Sequence, residues 1–133
     1  MIRAYFDSSA IMKLTAAERE SVALIDYLHE SPVEAATSVI AQVEVLRNLR
    51  KQAVESDQAM SGFYLLAFDE EVRDLAIGVG RDTLRSLDAI HIATALAIDD
   101  RDLHFITYDE RQATAARSAG LNVVQPGRSL TSL

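Results

Sequence analysis

Apolar residues recur along this chain with two spacings, and the switches between them mark out the elements. Residues 2–6 are a short run that reads as a strand. Asp7-Ser8-Ser9 follows and offers a side-chain oxygen to cap a helix, in which Ile11, Met12 and Leu14 make a small apolar patch. A second helix is predicted over 18–30, with Val22, Leu24, Ile25 and Leu28 as its buried side and Ser31-Pro32 as its stop. Residues 34–38 read as a second strand that ends at another cap. The helix predicted over 39–54 carries Val39, Ile40, Val43, Leu46 and Leu49 on one side, with Arg47, Arg50 and Lys51 elsewhere on its surface. Residues 55–62 are polar and show neither spacing. Beyond them come a strand at 63–68 and a helix from Asp69-Glu70-Glu71 to about 79. A strand at 103–107 precedes a helix at 110–119 closed by Gly120, and a last edge strand lies at 122–124. The tail from Pro126 reads as irregular.

The remaining element, a helix over 85–98, breaks the pattern. Its stretch Leu87-Asp88-Ala89-Ile90-His91-Ile92-Ala93-Thr94-Ala95-Leu96 is apolar almost all the way round, with one carboxylate set into it. Such a helix is normally buried, and a buried carboxylate is costly unless something positive meets it. No Lys or Arg lies within the stretch. Asp88 therefore either finds a distant arginine or faces a shared site where a cation binds.

Strands alternating with helices point to an α/β fold, a parallel sheet flanked by helices. The 133 residues fit one domain, 1–133. With 49% hydrophobic and 25% charged residues, no apolar run of membrane-spanning length and no signal-peptide pattern, the expectation is a cytoplasmic protein without membrane contact. The absence of cysteine removes disulfides, thiolate zinc sites and a cysteine nucleophile. The net charge of −7 argues against a passive nucleic-acid binder, which is usually basic. Work on nucleic acid would need local basic patches or bound cations.

Acids supply the candidate chemistry. In open α/β sheets the site lies beyond the carboxyl ends of the strands. Asp7 follows the first strand and Asp109 the strand at 103–107. Glu44 sits on the helix after the second strand, and Asp88 near the start of the buried helix. Folding is expected to bring these carboxylates to one edge of the sheet. A cluster of hard oxygen ligands suits Mg2+ or Mn2+ rather than zinc, and a cation relieves the mutual repulsion of its ligands. Such a metal activates water for attack on phosphorus. With no cysteine nucleophile and no Ser–His pair, this fits metal-assisted phosphodiester hydrolysis.

Asp7-Ser8-Ser9-Ala10, Glu44 on a helix, Leu87-Asp88-Ala89-Ile90-His91-Ile92-Ala93 and Thr107-Tyr108-Asp109, in that order, resemble the successive motifs of PIN-domain ribonucleases, in particular the VapC toxins of bacterial toxin–antitoxin pairs. The resemblance runs from Ile2 to about Pro126. It implies a three-layer α/β/α domain with a mostly parallel sheet, an acidic metal site and endonucleolytic cutting of RNA. It also implies a homodimer and a cognate VapB-like antitoxin that blocks the site. Asp7, Glu44, Asp88 and Asp109 match the family's acidic positions, and Ser9 and Thr107 the small polar positions beside them, which orient carboxylates or water. One departure is residues 52–62, shorter than the helical pair many relatives carry, which bears on the substrate groove and the antitoxin contact.

Plainer readings compete residue by residue. Asp7 and Asp109 are good helix caps, Glu44 suits a solvated helix face, and Asp88 suits a first helical turn; a capping Asp can also hold metal. His91 reads as a core histidine with hydrogen-bonded nitrogens rather than a ligand. Asp99, Asp100 and Asp102 read as a solvated turn, and Tyr5, Phe6, Phe105 and Tyr108 as packing. Arg47, Arg50, Lys51, Arg81 and Arg85 are candidates for phosphate contacts. The resulting expectation is a Mg2+- or Mn2+-dependent endoribonuclease, the toxin of a VapBC-type pair, with Asp7, Glu44, Asp88 and Asp109 holding the metal directly or through water. One alternative is a PIN-like module that docks RNA or protein without catalysis. Another is a receiver-like signalling domain, for which no Lys stands at a late strand end.

Overall fold

A computed structural model describes residues 1–53 and 58–128. The chain runs β1 (Ile2–Phe6), α1 (Ser8–Thr15), α2 (Ser21–Glu30), β2 (Val33–Ser38), α3 (Val39–Lys51), β3 (Tyr64–Leu66), α4 (Glu70–Gly78), α5 (Ser86–Ile98), β4 (His104–Ile106), α6 (Glu110–Ser118) and β5 (Asn122–Val124). The five strands form one sheet in the order β3-β2-β1-β4-β5, and every pairing is parallel. This is the α/β fold that the alternation predicts.

β1 is the central strand, paired on both edges and covered by helices on both faces from Ala4 onward. That is why Ala4, Tyr5 and Phe6 are consecutive, apolar or aromatic, and fully buried. Alternate side chains point to opposite faces. Ala4 and Phe6, with Ile106, join Ala10, Ile11, Leu24, Ala41, Val45 and Leu49 from α1, α2 and α3. Tyr5, with Phe105, joins Ile92, Ala95 and Ala116 from α5 and α6 on the other face. Three layers result. Four helices start directly after an acid or hydroxyl that caps them, namely Asp7, Ser38, Asp69 and Asp109. Gly120, with φ +92°, takes the left-handed conformation that ends α6.

Two predicted faces hold only in part: Leu24 and Leu28 of α2, and Leu46 and Leu49 of α3, lie in or against the core as expected. In α2, Val22 is 72% exposed and Ile25 also meets solvent. The buried stripe is Leu24 with Tyr27 and Leu28, at i, i+3 and i+4. In α3, Val43 is 55% exposed, and the stripe is Ala41, Val45 and Leu49. Ala41 is small and lets α3 lie close on the sheet, whereas a search for bulky side chains passes over it. The predicted strand at 63–68 contracts to β3, an edge strand with Tyr64 and Leu65 exposed. α3 ends at Lys51, before the predicted 54. The short 52–62 segment lies in part, and the end of the tail lies wholly, outside the described residues. Among the described residues, no helix is long and apolar enough to cross a membrane.

Candidate active site

The chain passes from β1 into α1 without a loop, and Asp7 sits at that junction. As the α1 cap its Oδ1 accepts from the Ala10 N–H (3.0 Å) and from the Ser9 hydroxyl (2.7 Å). The register of β1 against β4 pairs Phe6 with Ile106, so the next residues out, Asp7 and Thr107, come side by side. The Thr107 hydroxyl donates to Asp7 Oδ2. Ser9 ties the two ends together, because its oxygen accepts from the Tyr108 N–H (2.9 Å). Asp7 is 3% exposed, and no basic side chain of the described residues pairs with it. Burial pushes its carboxyl up, and the donors from Thr107, Ser9 and Ala10 offset only part of that cost.

Asp109 caps α6, where Oδ1 accepts from the N–H groups of Arg111 (2.9 Å) and Gln112 (3.3 Å). Its own N–H donates to Thr107 Oγ1 (3.1 Å), which carries the contact back to Asp7. Asp88 lies in the first turn of α5. The cation missing from its apolar stretch is one turn upstream, since Arg85 Nε stands 3.6 Å from Asp88 Oδ2 on a largely exposed side chain. That does not satisfy it. Burial first, and then the charge of Asp109, push the Asp88 carboxyl up against the pull of Arg85.

Glu44 stands apart from this group. The Ser8 hydroxyl donates to its Oε1 (2.6 Å), and His91 Nε2 lies 2.9 Å from the same oxygen. His91 Nδ1 lies 2.8 Å from the Tyr5 hydroxyl. Burial would raise the Glu44 carboxyl, but the bonds from His91 and Ser8 outweigh it and leave the group lowered.

Asp7 and Asp109 are thus joined through Thr107, Glu44 is held by Ser8 and His91, and Asp88 meets Arg85, with all four acids beyond the carboxyl ends of the strands. They make an open row, not a cage. Among the described residues no three carboxylate, imidazole or thiol groups are gathered so as to hold a metal ion. Grooves flank the row. One of about 680 Å³ runs from Asp88 between residues 79–85 and α6, and Arg81, Arg85 and Arg111 line it. Another of about 640 Å³ lies between α1 and α3, lined by Ser8, Ser9, Glu44, Arg47 and Lys51. Arg50 lines neither. On a helix of 3.6 residues per turn, Arg47 and Lys51 follow Glu44 by three and seven residues and share its face, whereas Arg50 follows by six and points away.

Row and sheet together fit a known architecture. Residues 4–118 match the family model of the PIN domain. The chain belongs to the PIN-domain family. Its sequence is 38% identical over 130 residues to Ribonuclease VapC46 of Mycobacterium tuberculosis, an alignment covering 95% of this chain and 99% of that one. It is 36% identical over 131 residues to Ribonuclease VapC47 of the same species, covering 92% and 96%. Among solved structures, a toxin–antitoxin complex from Klebsiella pneumoniae superposes with a TM-score of 0.72 at 26% identity, covering 91% of this chain and 95% of that one. This is a VapC-like PIN domain.

Two residues that bond to a candidate site acid are not signalled by the sequence pattern. The pattern gives Ser8 no role of its own, and His91 reads as a core histidine. Both bond to Glu44, which is 36 residues from Ser8 and 47 from His91. No local spacing signals a partner that far away. His91 is buried with both ring nitrogens bonded, as expected, but one of the partners is a site acid. Asp100, read as part of a solvated turn, is half-buried and pairs with Arg3 (3.7 Å).

Proposed function

We propose that this PIN domain is a Mg2+- or Mn2+-dependent endoribonuclease, the toxin of a VapBC-type pair, whose site Asp7, Glu44, Asp88 and Asp109 furnish. The observation that carries the reading is the charge imbalance of the row. Asp7 is 3% exposed without a basic partner, and burial and then the charge of Asp109 push the Asp88 carboxyl up. A row of carboxylates in this state lacks positive charge, and its all-oxygen donors suit a small, hard dication. Bound there, the ion would supply activation of water for attack on phosphorus and neutralise charge in the transition state.

The chain's own groups do the rest. Thr107 and Ser9 fix the rotamer of Asp7, so its oxygens are set before any ligand arrives. Arg47 and Lys51 on one flank, and Arg81, Arg85 and Arg111 on the other, supply phosphate contacts on both sides of the row. Arg85 would exchange its Asp88 partner for a phosphate. The ribonuclease names of the Mycobacterium relatives and the toxin–antitoxin title of the Klebsiella structure support this reading. A homodimer, a cognate VapB-like antitoxin and a cytoplasmic setting are part of the same proposal.

The open row favours one rival, a domain that docks RNA without cutting it. Asp88→Asn separates the two. The expected result is an unchanged melting temperature with metal-dependent RNA cutting abolished. Cutting retained by Asp88→Asn, or a wild-type protein that binds no Mn2+ by calorimetry, would refute the nuclease.

A further inference from the structure

We infer that His91 is a positioning residue for Glu44: Tyr5 holds its ring in the tautomer whose Nε2–H clamps one oxygen of the Glu44 carboxylate and leaves the other free for the site. The effect on catalysis rests on the nuclease reading; the clamp itself does not.

The argument follows the hydrogens. A neutral imidazole has one N–H donor and one bare acceptor nitrogen. His91 Nε2 stands 2.9 Å from Glu44 Oε1, and a carboxylate only accepts, so Nε2 must carry the hydrogen. In the neutral ring Nδ1 is then the acceptor, and the Tyr5 hydroxyl, 2.8 Å away, donates to it. Tyr5 is fully buried. Its ring cannot turn away. It stands on the central strand, stacked on Phe105 at 5.5 Å between centroids. The sequence of donors is thus Tyr5 O–H to Nδ1, then Nε2–H to Glu44 Oε1.

Glu44 Oε1 also takes the Ser8 hydroxyl at 2.6 Å. Two donors hold one oxygen, and no hydrogen bond from the described residues reaches Oε2. A glutamate on a helix surface otherwise samples many rotamers, and fixing one costs free energy when a ligand arrives. Here the fold has met that cost in advance. His91 also sits on α5 one turn beyond Asp88, so the helix that carries one acid orients another. A histidine that merely fills the core needs bonded nitrogens, but gains nothing from the particular oxygen it meets.

The first test uses the native protein. Long-range proton–nitrogen NMR of the full chain with 15N-labelled histidine, at neutral pH, reads the tautomer directly. The neutral Nε2–H form is expected, with loss of that preference in Tyr5→Phe; an Nδ1–H form or an imidazolium overturns the clamp. The second test is a double-mutant cycle read by Mn2+ calorimetry and by RNA cutting. His91→Leu is expected to weaken Mn2+ binding roughly tenfold, as loss of a ligand-orienting partner does. His91→Gln, which can present an amide N–H, is expected to recover part of it, and His91→Leu to have no further effect in a Glu44→Gln background. Independent, additive losses overturn the proposal. A wild-type chain that neither binds Mn2+ nor cuts RNA sinks the nuclease reading instead, and the tautomer then decides the clamp alone. The tautomer likewise decides if His91→Leu does not fold.

Discussion

Two buried carboxylates in this molecule are treated in opposite ways. Glu20, 7% exposed at the head of α2, is met by Lys13 Nζ at 2.8 Å and Arg128 Nε at 3.1 Å. The same two cations also sit over the Tyr108 ring, 5.4 and 5.3 Å from its centroid. The Lys13 bond, working against burial, brings the Glu20 carboxyl below its usual range. Asp7, 3% exposed, receives hydroxyls and an amide, and its carboxyl is pushed up. Tyr108 lies next to Thr107, which bonds Asp7, so the two acids are separated by little chain. The fold has cations close at hand, directs them to Glu20 and keeps them from Asp7. The first acid joins the α1–α2 corner to the tail beyond β5; the second has no basic partner among the described residues.

The comparison predicts a crossed pair of variants, and this is where the largest effects lie. Asp7→Asn is expected to cut RNA cleavage by about three orders of magnitude or more, since several kcal/mol of metal-derived stabilisation go with it. Its melting temperature without dications is expected to hold or rise, because a buried neutral amide costs less than a buried charge. Glu20→Gln is expected to do the reverse. It leaves two cations without their buried partner and lowers stability by about 2 kcal/mol, or roughly 6–10 °C in melting, with cutting unchanged. Thermal melts and gel-based RNA cleavage on both variants check this. If Asp7→Asn melts lower than Glu20→Gln, the contrast between the two acids is broken.

Only one side of this contrast was legible in the sequence. Asp7, Asp88 and Asp109 could be read because each stands where local pattern changes, at a strand end or in a first helical turn, and such junctions of a parallel sheet share one edge. The buried α5 announced itself by an apolar run too long to face water. Glu20 could not be read, since its partners Lys13 and Arg128 come from two other segments, one of them 108 residues away. Ser8 and His91 escaped for the same reason. The faces of α2 and α3 are legible only in part, because bulk alone does not mark burial. Val22 and Val43 face out, while Ala41 lies against the sheet. Periodicity finds the stripe, but which residue centres it depends on how close the layers pack.

Acid titration sharpens the comparison at a smaller scale. The Glu20 carboxyl in the folded chain lies below its ordinary value of 4.5. A depressed acid stabilises the fold above its unfolded pKa, and that contribution is lost as pH falls through the folded value. The stability gap between wild type and Glu20→Gln is therefore expected to be full at neutral pH and to start closing only below about pH 4.5. Urea midpoints from neutral pH to about pH 3 measure it. A gap that stays constant down to about pH 3 would show that Glu20 acts by packing, not by charge.

The smallest effects separate cations that serve the fold from cations that serve a ligand. Lys13 is committed to Glu20, while Arg47 and Lys51 line the groove beside Glu44 and form no ion pair among the described residues. RNA affinity is best measured on Asp88→Asn protein, so that the strand stays intact. There, Arg47→Ala or Lys51→Ala is expected to weaken binding a few-fold and to reduce the slope of log K against log salt by about 0.7, the share of one single-strand phosphate contact. Arg50→Ala, turned to the other side of α3, is expected to leave both quantities within about twofold of the parent. Lys13→Met is expected to lower the melting temperature and leave the salt slope alone, which separates the two uses of positive charge within one protein. Equal slopes for Arg47→Ala and Arg50→Ala would mean that RNA meets α3 as a diffuse charged surface, and that the groove beside Glu44 does not carry the strand.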